Sequence, residues 1–508
     1  MTRLLFLALL ASFFWPFSDF LQHNYVQFHK STFLPVYQVA FLCFAHAVLA
    51  FAVLLLLCWR FPAEKNRLIA VFILLSVLWF TFSPILGLVG DAVSSLGFTT
   101  GGALAYLVIA CALIVAVWRM ARSVLFLKAA AVAVIVASVS PLFGLIGSPQ
   151  ATGSDNVAQG PSDGFGASFS PSSGTKPPNI YYIIADGWMA TDVFERVIDG
   201  SLGPLIEDLE AKGFYSVPQA RSNYLGSASS IGSLFHLDHF RTDRHAKGDI
   251  ANSSFFPAIA YRTPAAPLVA LLKDMGYELY FSGTWYSNCT GPHFNCVSGN
   301  WWQLNRASIL LLERTPLKFV VSRFIRLDVD AVSRLDEEFI AQRKAADAPS
   351  FTFAHHMEPH NPWYFDGQCR PLDPSAHEDQ MLYRYSVQCL LRRVAAFADN
   401  VVRLDPDAII VVHGDHGWLF IGDTPAGTPE HLWPVEVLDQ RTRVANLIKV
   451  PERCEEGLRP DLGPVNTMRL VVACAAGVEP EFLPEALYVP GPTYGEDERF
   501  MLFDKSRL

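Results

Sequence analysis

Apolar and polar residues are distributed unevenly along this chain. Residues 1–148 are predominantly hydrophobic, and from about residue 177 the pattern becomes that of an ordinary globular domain. Within the first part, the runs 36–59, 68–89, 103–118 and 124–146 are long enough, or nearly so, to cross a hydrocarbon core of roughly 30 Å as helices. A fifth run, 4–21, precedes them and carries Pro16 and Asp19. It reads as a span or as a signal peptide, and it crosses the membrane in both readings. Residues 149–177, rich in Gly, Ser, Pro and Asp, read as a flexible linker. The predicted organisation is a transmembrane domain over 1–148, the linker over 149–177 and a second domain over 178–508.

The second domain alternates two periodicities. Short β-branched and aromatic runs, NIYYIIA (179–185), YELYFSG (277–283), SFTFAHH (350–356), AIIVV (408–412) and 444–450, predict strands. Segments with helical spacing, 202–212, 265–275, 380–399 and 467–476, lie among them. Strands alternating with helices predict a mostly parallel sheet with helices on both faces. Three of the strands end in polar chemistry: Asp186-Gly187, the stretch His355–His360, and His413-Gly414-Asp415-His416-Gly417. Ligands in such sheets bind at the carboxyl edge of the strands. Asp beside His there supplies two metal ligands on a rigid base, and the flanking glycines let the chain turn sharply.

Charge and cysteine usage then orient the chain. The net charge of −9 and the lack of a Lys/Arg cluster exclude a nucleic-acid surface. Arg3 precedes the first span, Arg60, Lys65 and Arg67 lie between the second and third, and Arg119, Arg122 and Lys128 lie at the junction of the fourth and fifth, all on one side, whereas the opposite loops hold little but Lys30. The positive-inside rule therefore places the second domain outside the cytoplasm. Six cysteines, Cys289, Cys296, Cys369, Cys389, Cys454 and Cys474, lie in that domain. Nearest-neighbour pairing would close short loops, although spacing alone leaves all connectivities open. Disulfides there agree with an oxidising compartment.

A nucleophile is sought in SNYLGSASSIGSLFHLDHF (222–240), where small and hydroxyl residues precede apolar periodicity. That pattern predicts a loop feeding a helix N-terminus, where free N–H groups and the dipole favour an anion. Ser227, Ser229 and Ser230 compete on chemistry alone, and a serine-rich helix cap is the plainer alternative.

The segments PPNIYYIIADG, SNYLGSASS, FAHHMEPHNPWYFD, YRYSVQCLLRRV, VVHGDHG and RVANLIKVP, taken together and in this order, resemble the sulfatase-like branch of the alkaline phosphatase superfamily. The resemblance covers about 177–451 and implies an alkaline-phosphatase-like α/β domain. It implies that Asp186, Ser227, Asp415 and His416 hold one divalent metal, manganese or zinc ahead of magnesium or calcium. Ser227 would be the nucleophile, and His360 would contact the transferred anionic group. Arg443 and Asn446 fall in the RVANLIKVP match and are candidates to meet substrate. His355, His356 and His413 border the site, where packing or orienting roles are expected. Trp285, His293, Trp301 and Trp302, around Cys289 and Cys296, read as a disulfide-tied surface loop.

Ser227 falls where sulfatases carry the residue converted to formylglycine. The Pro or Ala and the Arg that direct that conversion are here Ser229 and Ile231, so an unmodified hydroxyl is expected. Phosphotransferase members usually present Thr, and Ser227 departs from that. A five-helix anchor before an extracytoplasmic domain is similar to lipoteichoic acid synthase and the lipid A phosphoethanolamine transferases. The resemblance thus implies an enzyme of a bacterial inner membrane. It would move a phosphoglycerol- or phosphoethanolamine-type group from a phospholipid to a glycan or lipid acceptor. A membrane-anchored sulfatase or phosphodiesterase, and a non-catalytic membrane binding protein, are the alternatives.

Overall fold

The strand Ile180–Ala185 (β1) stands at the centre of a seven-stranded sheet. All six of its residues are buried, as its unbroken apolar sequence requires of a strand covered on both faces. The other strands are β2 (Tyr215–Ser216), β3 (Glu278–Ser282), β4 (Asn295–Cys296), β5 (Ser350–His356), β6 (Ile409–Gly414) and β7 (Asn446–Lys449). Their order is β2-β7-β6-β1-β5-β3-β4. β1 pairs in parallel with β5 and β6, and β3 in parallel with β5 and β4. β7 runs antiparallel to both β6 and β2. A two-stranded antiparallel ribbon, β8 (Tyr488–Pro490) with β9 (Phe500–Leu502), is separate.

The computed structural model describes residues 2–23, 36–95, 101–147, 163–166, 169, 176–240, 266–284, 293–297, 306–325, 329–373, 376–424, 427–490 and 500–503. Trp285, Cys289, Trp301 and Trp302 lie outside the described residues. The chain divides into two units, Met1–Thr152 with Leu304–Ile325, and Gly153–Gln303 with Arg326–Leu508.

In the second unit, strand alternation splits the core in two. Ile180, Tyr182, Ile184, Phe351, Phe353, Ile409 and Val411 face the helices Ser227–His236, Pro267–Asp274 and Pro464–Ala476. Tyr181, Ile183, Ala185, Ala354, Ile410 and Val412 face the helices Thr191–Val197, Glu337–Ala345 and Asp379–Leu404. Disulfides join Cys369 to Cys389 and Cys454 to Cys474, two of the nearest-neighbour pairs. Part of the stretch read as a linker is docked on this unit. Asp163 pairs with the buried Arg469 at 2.8 Å, and Phe165 enters the core. An Asp and a Phe with such partners outweigh the Gly/Ser composition around them.

Among the described residues the first unit has four helices long and apolar enough to cross a membrane, or five if one bent pair counts as a span. The helix Thr2–His23 packs along Val124–Gly147, where Ser18 Oγ donates to the Ser138 carbonyl at 3.2 Å. The run 68–89, expected as one span, is broken. The helix Lys65–Phe80 stops, and Phe82–Ser95 leaves the line of the helical stretch before it at 73°. Pro84 explains the break: its ring cannot follow a continuing helix, because it lacks an N–H and crowds the carbonyl four residues back. Ser83 instead donates its N–H to the Arg314 carbonyl at 3.1 Å and its hydroxyl to the Glu313 carbonyl at 2.5 Å. Those acceptors lie on a hairpin of two short helices, Arg306–Glu313 and Lys318–Ile325, that belongs to this unit although it comes from the middle of the second domain's sequence. Leu311 of the hairpin packs with Phe20, Val39, Cys43 and Phe80, and Arg314 pairs with Asp19 at 2.9 Å.

Candidate metal and nucleophile site

The in-register pairing of β1 with β5 and β6 sets Ala185 beside both His356 and Gly414. The residues that follow or end these strands therefore emerge at one sheet edge. Asp186, His355 and Asp415 form a buried group whose ligand atoms lie within 4.8 Å of one another. His416 Nε2 lies 3.7 Å from Asp186 Oδ1 and 3.5 Å from Asp415 Oδ2. Ser227 Oγ lies 3.2 Å from the same Nε2. Five residues separated by up to 230 positions in sequence thus converge.

The turns that hold these groups are tight. Gly187 has φ +75°, and its N–H donates to Asp415 Oδ1 at 2.9 Å. The His416 N–H donates to the same oxygen at 3.0 Å. A Cβ on Gly414 would lie 2.2 Å from the Trp188 carbonyl oxygen, so only glycine fits there. Tyr383 reaches in from the helix Asp379–Leu404, donating its hydroxyl to the Gly187 carbonyl at 2.8 Å and accepting the Met189 N–H at 3.1 Å.

The polar atoms left over decide what the site can hold. Asp415 Oδ1 is engaged by two N–H groups, but Asp415 Oδ2 and Asp186 Oδ1 are buried with no hydrogen-bond partner among the described residues. His416 Nδ1 lies 2.9 Å from the Gly417 carbonyl, which accepts only a proton-bearing nitrogen. That assigns the proton to Nδ1 and leaves the Nε2 lone pair facing two carboxylates. Two carboxylate oxygens, an imidazole lone pair and a hydroxyl facing one another underground repel unless a cation lies between them. Oxygen and nitrogen donors of this kind suit a divalent ion. The residues therefore fit one. Asp186 would offer Oδ1, Asp415 Oδ2, His416 Nε2 and Ser227 Oγ.

The surrounding charges agree. Burial raises the Asp186 carboxyl, but His360, His355 and His416 more than offset this and hold it well below the usual carboxylate range. Burial lowers the His416 imidazole and the Arg441 guanidinium adds to the effect, outweighing the pull of Asp415 and Asp186 the other way. Burial also brings His413 down to about 4; its Nε2 lies 2.8 Å from the Tyr182 hydroxyl, and it packs under the sheet edge.

Ser227 opens the helix Ser227–His236, with Gly226 in extended backbone before it. Of the competing serines, Ser230 turns its hydroxyl to Ser222 Oγ at 3.0 Å. Ser222 in turn donates to the Asp415 carbonyl at 2.6 Å, pinning the serine loop to the metal turn. His360 is partly exposed, packs edge-on against Trp418 at 4.7 Å, and sets its Nδ1 against the Asn361 carbonyl.

The other candidate residues take up distinct positions. His355 was expected beside the site; its Nε2 lies 3.3 Å from Asp186 Oδ2, within the ligand group. Alternation along β5 separates it from His356, which points to the other face. There His356 Nδ1 accepts the Ala331 N–H at 3.1 Å, and Nε2 lies 3.0 Å from Glu358, itself held by Arg393. Arg443 was a substrate candidate, but its guanidinium binds Asp192 and the Pro218 carbonyl, both at 2.9 Å. Asn446 sits on β7 and donates to the Leu462 carbonyl and Thr467 Oγ1. Arg443 Nε and Asn446 Oδ1 are buried with no hydrogen-bond partner among the described residues. The residue that sequence reasoning missed is Arg441. From the helix Val435–Thr442 it donates Nε to the Leu225 carbonyl at 2.8 Å and Nη1 to the Gly417 carbonyl at 2.9 Å. It bridges the serine loop and the metal turn, a role that no motif in the sequence announces.

No family model matches the chain, and no curated protein matches it. Among solved structures it is similar to the integral membrane protein lipooligosaccharide phosphoethanolamine transferase A of Neisseria meningitidis. The identity is 14% and the TM-score 0.41, over 94% of this chain and 95% of that one. It is also similar to the C-terminal periplasmic domain of EcEptC from Escherichia coli in complex with Zn, at 12% identity and TM-score 0.44, over 66% of this chain and 96% of that one. A Vibrio parahaemolyticus protein in the alkaline phosphatase superfamily matches at 14% identity and TM-score 0.40, over 67% of this chain and 83% of that one.

Proposed function

We propose that this chain is a membrane-anchored phosphotransferase. It moves a head group of the phosphoglycerol or phosphoethanolamine type from a membrane phospholipid to a glycan or lipid acceptor, through a covalent Ser227 adduct. The observation that carries the reading is the convergence of Ser227 Oγ with two unpartnered buried carboxylate oxygens and the His416 lone pair.

A divalent ion, manganese or zinc ahead of magnesium or calcium, would be held by Asp186, Ser227, Asp415 and His416, and would supply the positive charge that lowers the hydroxyl's pKa and polarises a phosphoryl oxygen. Ser227 Oγ attacks phosphorus in line. The Oγ–P bond forms as the P–O bond to diacylglycerol breaks, and the diacylglycerol oxygen takes up a proton. His360 stabilises the equatorial phosphoryl oxygens or, as acid and base, receives the serine proton and returns one to the leaving group. An acceptor hydroxyl then attacks phosphorus, gives up its proton and restores the serine. Arg441 holds the Ser227 loop against the metal turn through both halves.

The first unit supports an extracytoplasmic site. Arg67 lies over Trp118 at 5.6 Å, so the basic residues Arg60, Lys65, Arg67, Arg119 and Arg122 gather at one end of the bundle. Leu311 and Arg314 pack at the other end, against Phe20, Phe80 and Asp19. If the basic end is cytoplasmic, the sequence around residue 311 is outside.

The test is incubation of purified protein with labelled phosphatidylglycerol and phosphatidylethanolamine in the presence of manganese or zinc. Diacylglycerol release, with a phospho-head-group mass on the Ser227 peptide, is expected. Release without that adduct favours a hydrolase using water directly, and neither result leaves only a binding role.

A further inference from the structure

A second feature of the first unit points to lipid, and it is independent of the chemistry above. The helix Phe82–Ser95 turns away at 73° from the stretch before it, so it does not prolong that stretch along one axis. Its N-terminus meets the end of the helix Arg306–Glu313, where the two chains satisfy each other's terminal groups. Ser83 donates to the Glu313 and Arg314 carbonyls, which a helix end leaves open. The hairpin is held from below by the Asp19–Arg314 pair and by Leu311 in the bundle's apolar end. Neither helix is a stray surface element, because both are built into the end of the membrane unit.

Their outer surface is amphipathic in a particular way. Phe319 is 65% exposed and Val320 50%, while Leu88 on the turned helix is 70% exposed. Phe319 packs edge-on against Phe82 at 6.2 Å. The Lys318 ammonium lies over both rings, 5.5 Å from the Phe82 centroid and 5.2 Å from that of Phe319. Lys318 brings a positive charge to this surface, while Arg314 is taken up by Asp19 at 2.9 Å. The helix Val36–Arg60, against which Arg306–Glu313 packs, exposes Phe41 and Phe44, so the apolar surface of the span runs up to the hairpin. Water does not cover such a surface favourably, and a spanning segment cannot carry these charges. A phospholipid head-group layer suits both: rings at the acyl boundary, ammonium among phosphates.

We propose that the helix Phe82–Ser95 and the hairpin 306–325 form an interfacial platform seated in an anionic phospholipid bilayer. Phe319 and Val320 lie at the acyl boundary, and Lys318 lies at the phosphates. The hairpin belongs to the first unit although its sequence falls within that of the second.

The experiment uses the full chain with Cys43, Cys58 and Cys111 replaced by alanine and a nitroxide on Val320→Cys, in phosphatidylglycerol/phosphatidylcholine vesicles. Power saturation compares collisions with oxygen, concentrated in lipid, and with a water-soluble nickel chelate. Preference for oxygen is expected, and preference for nickel overturns the proposal. Adding Lys318→Glu is expected to raise nickel access several-fold in phosphatidylglycerol vesicles and little in pure phosphatidylcholine. Equal access in the two lipids removes the anionic head group from the proposal. Position 320 is exposed, so the label does not threaten folding, and no readout depends on enzymatic turnover.

Discussion

Ser227 Oγ and His416 Nε2 lie 3.2 Å apart, at the head of a helix and the end of a strand 189 residues later. Because His416 Nδ1 is committed to the Gly417 carbonyl, this is a lone pair meeting a hydroxyl, with Asp186 and Asp415 on its other sides. The same pair can hold a cation and a nucleophile together.

Removing the nucleophile should separate chemistry from metal binding. Ser227→Ala is expected to lower diacylglycerol release by roughly three orders of magnitude or more. It should retain most of the bound metal, because two carboxylates and an imidazole remain. Metal content by elemental analysis, read beside the rate, checks this. A variant with full activity would falsify the assignment of Ser227.

The ligands should couple to stability with opposite signs in the two states. Metal at about a hundred times its dissociation constant should stabilise the wild type by about 2.7 kcal/mol, and a chelator should remove that gain. Asp415→Asn should lose the gain. In the metal-free protein, however, it should raise Tm above wild type, because it relieves the facing carboxylates. Scanning calorimetry with and without chelator reads both. A metal-free variant less stable than metal-free wild type would mean that Asp415 serves the fold alone.

Arg441 donates to the Leu225 and Gly417 carbonyls at once. A lysine cannot make both bonds from one rigid fork. Arg441→Lys is therefore expected to lower kcat by about tenfold to a hundredfold while KM stays within about a factor of two, because misplacement of the nucleophile is felt in the chemical step. A change confined to Tm, with kcat preserved, would make Arg441 a structural residue only.

Asp439 receives Arg221 at 2.8 Å and Arg196 at 2.7 Å, steadying the helix that carries Arg441. Burial raises its carboxyl, but the two guanidinium groups outweigh that and hold it below the usual range. A depressed folded-state pKa contributes stability above the ordinary carboxylate value near pH 4, and this is lost as pH falls through the folded value. Asp439→Asn should cost about 1–3 kcal/mol at neutral pH and flatten the decline of Tm below pH 4. Parallel acid limbs in wild type and variant would remove this residue from the acid response.

Much of this was legible before any coordinates. A buried strand must be apolar along its length, so NIYYIIA, SFTFAHH and AIIVV declared themselves, and a parallel sheet brings such strand ends to one edge. That is why Asp186, Asp415 and His416 could be set beside one another from sequence. Ser227 among its neighbouring serines was reached through resemblance, and geometry turns Ser230 away from it.

Period-two alternation separates His355 from His356, but which of the two faces the ligands depends on which helices cover each side of the sheet, and those contacts are long-range. Arg443 lies in a motif yet spends its guanidinium on Asp192, while Arg441 lies in none and joins two loops, because a long side chain's partners are chosen by packing rather than by neighbours in sequence. Pro84 could have warned of the break in the third span, though the apolar run around it outweighed one residue. The return of 306–325 to the membrane unit had no local signal, since an amphipathic hairpin looks the same whether it covers a domain or a bilayer. Sequence determined the strands, the spans and the kinds of chemistry; tertiary packing decided which side chains meet, because each meeting joins residues far apart in the chain.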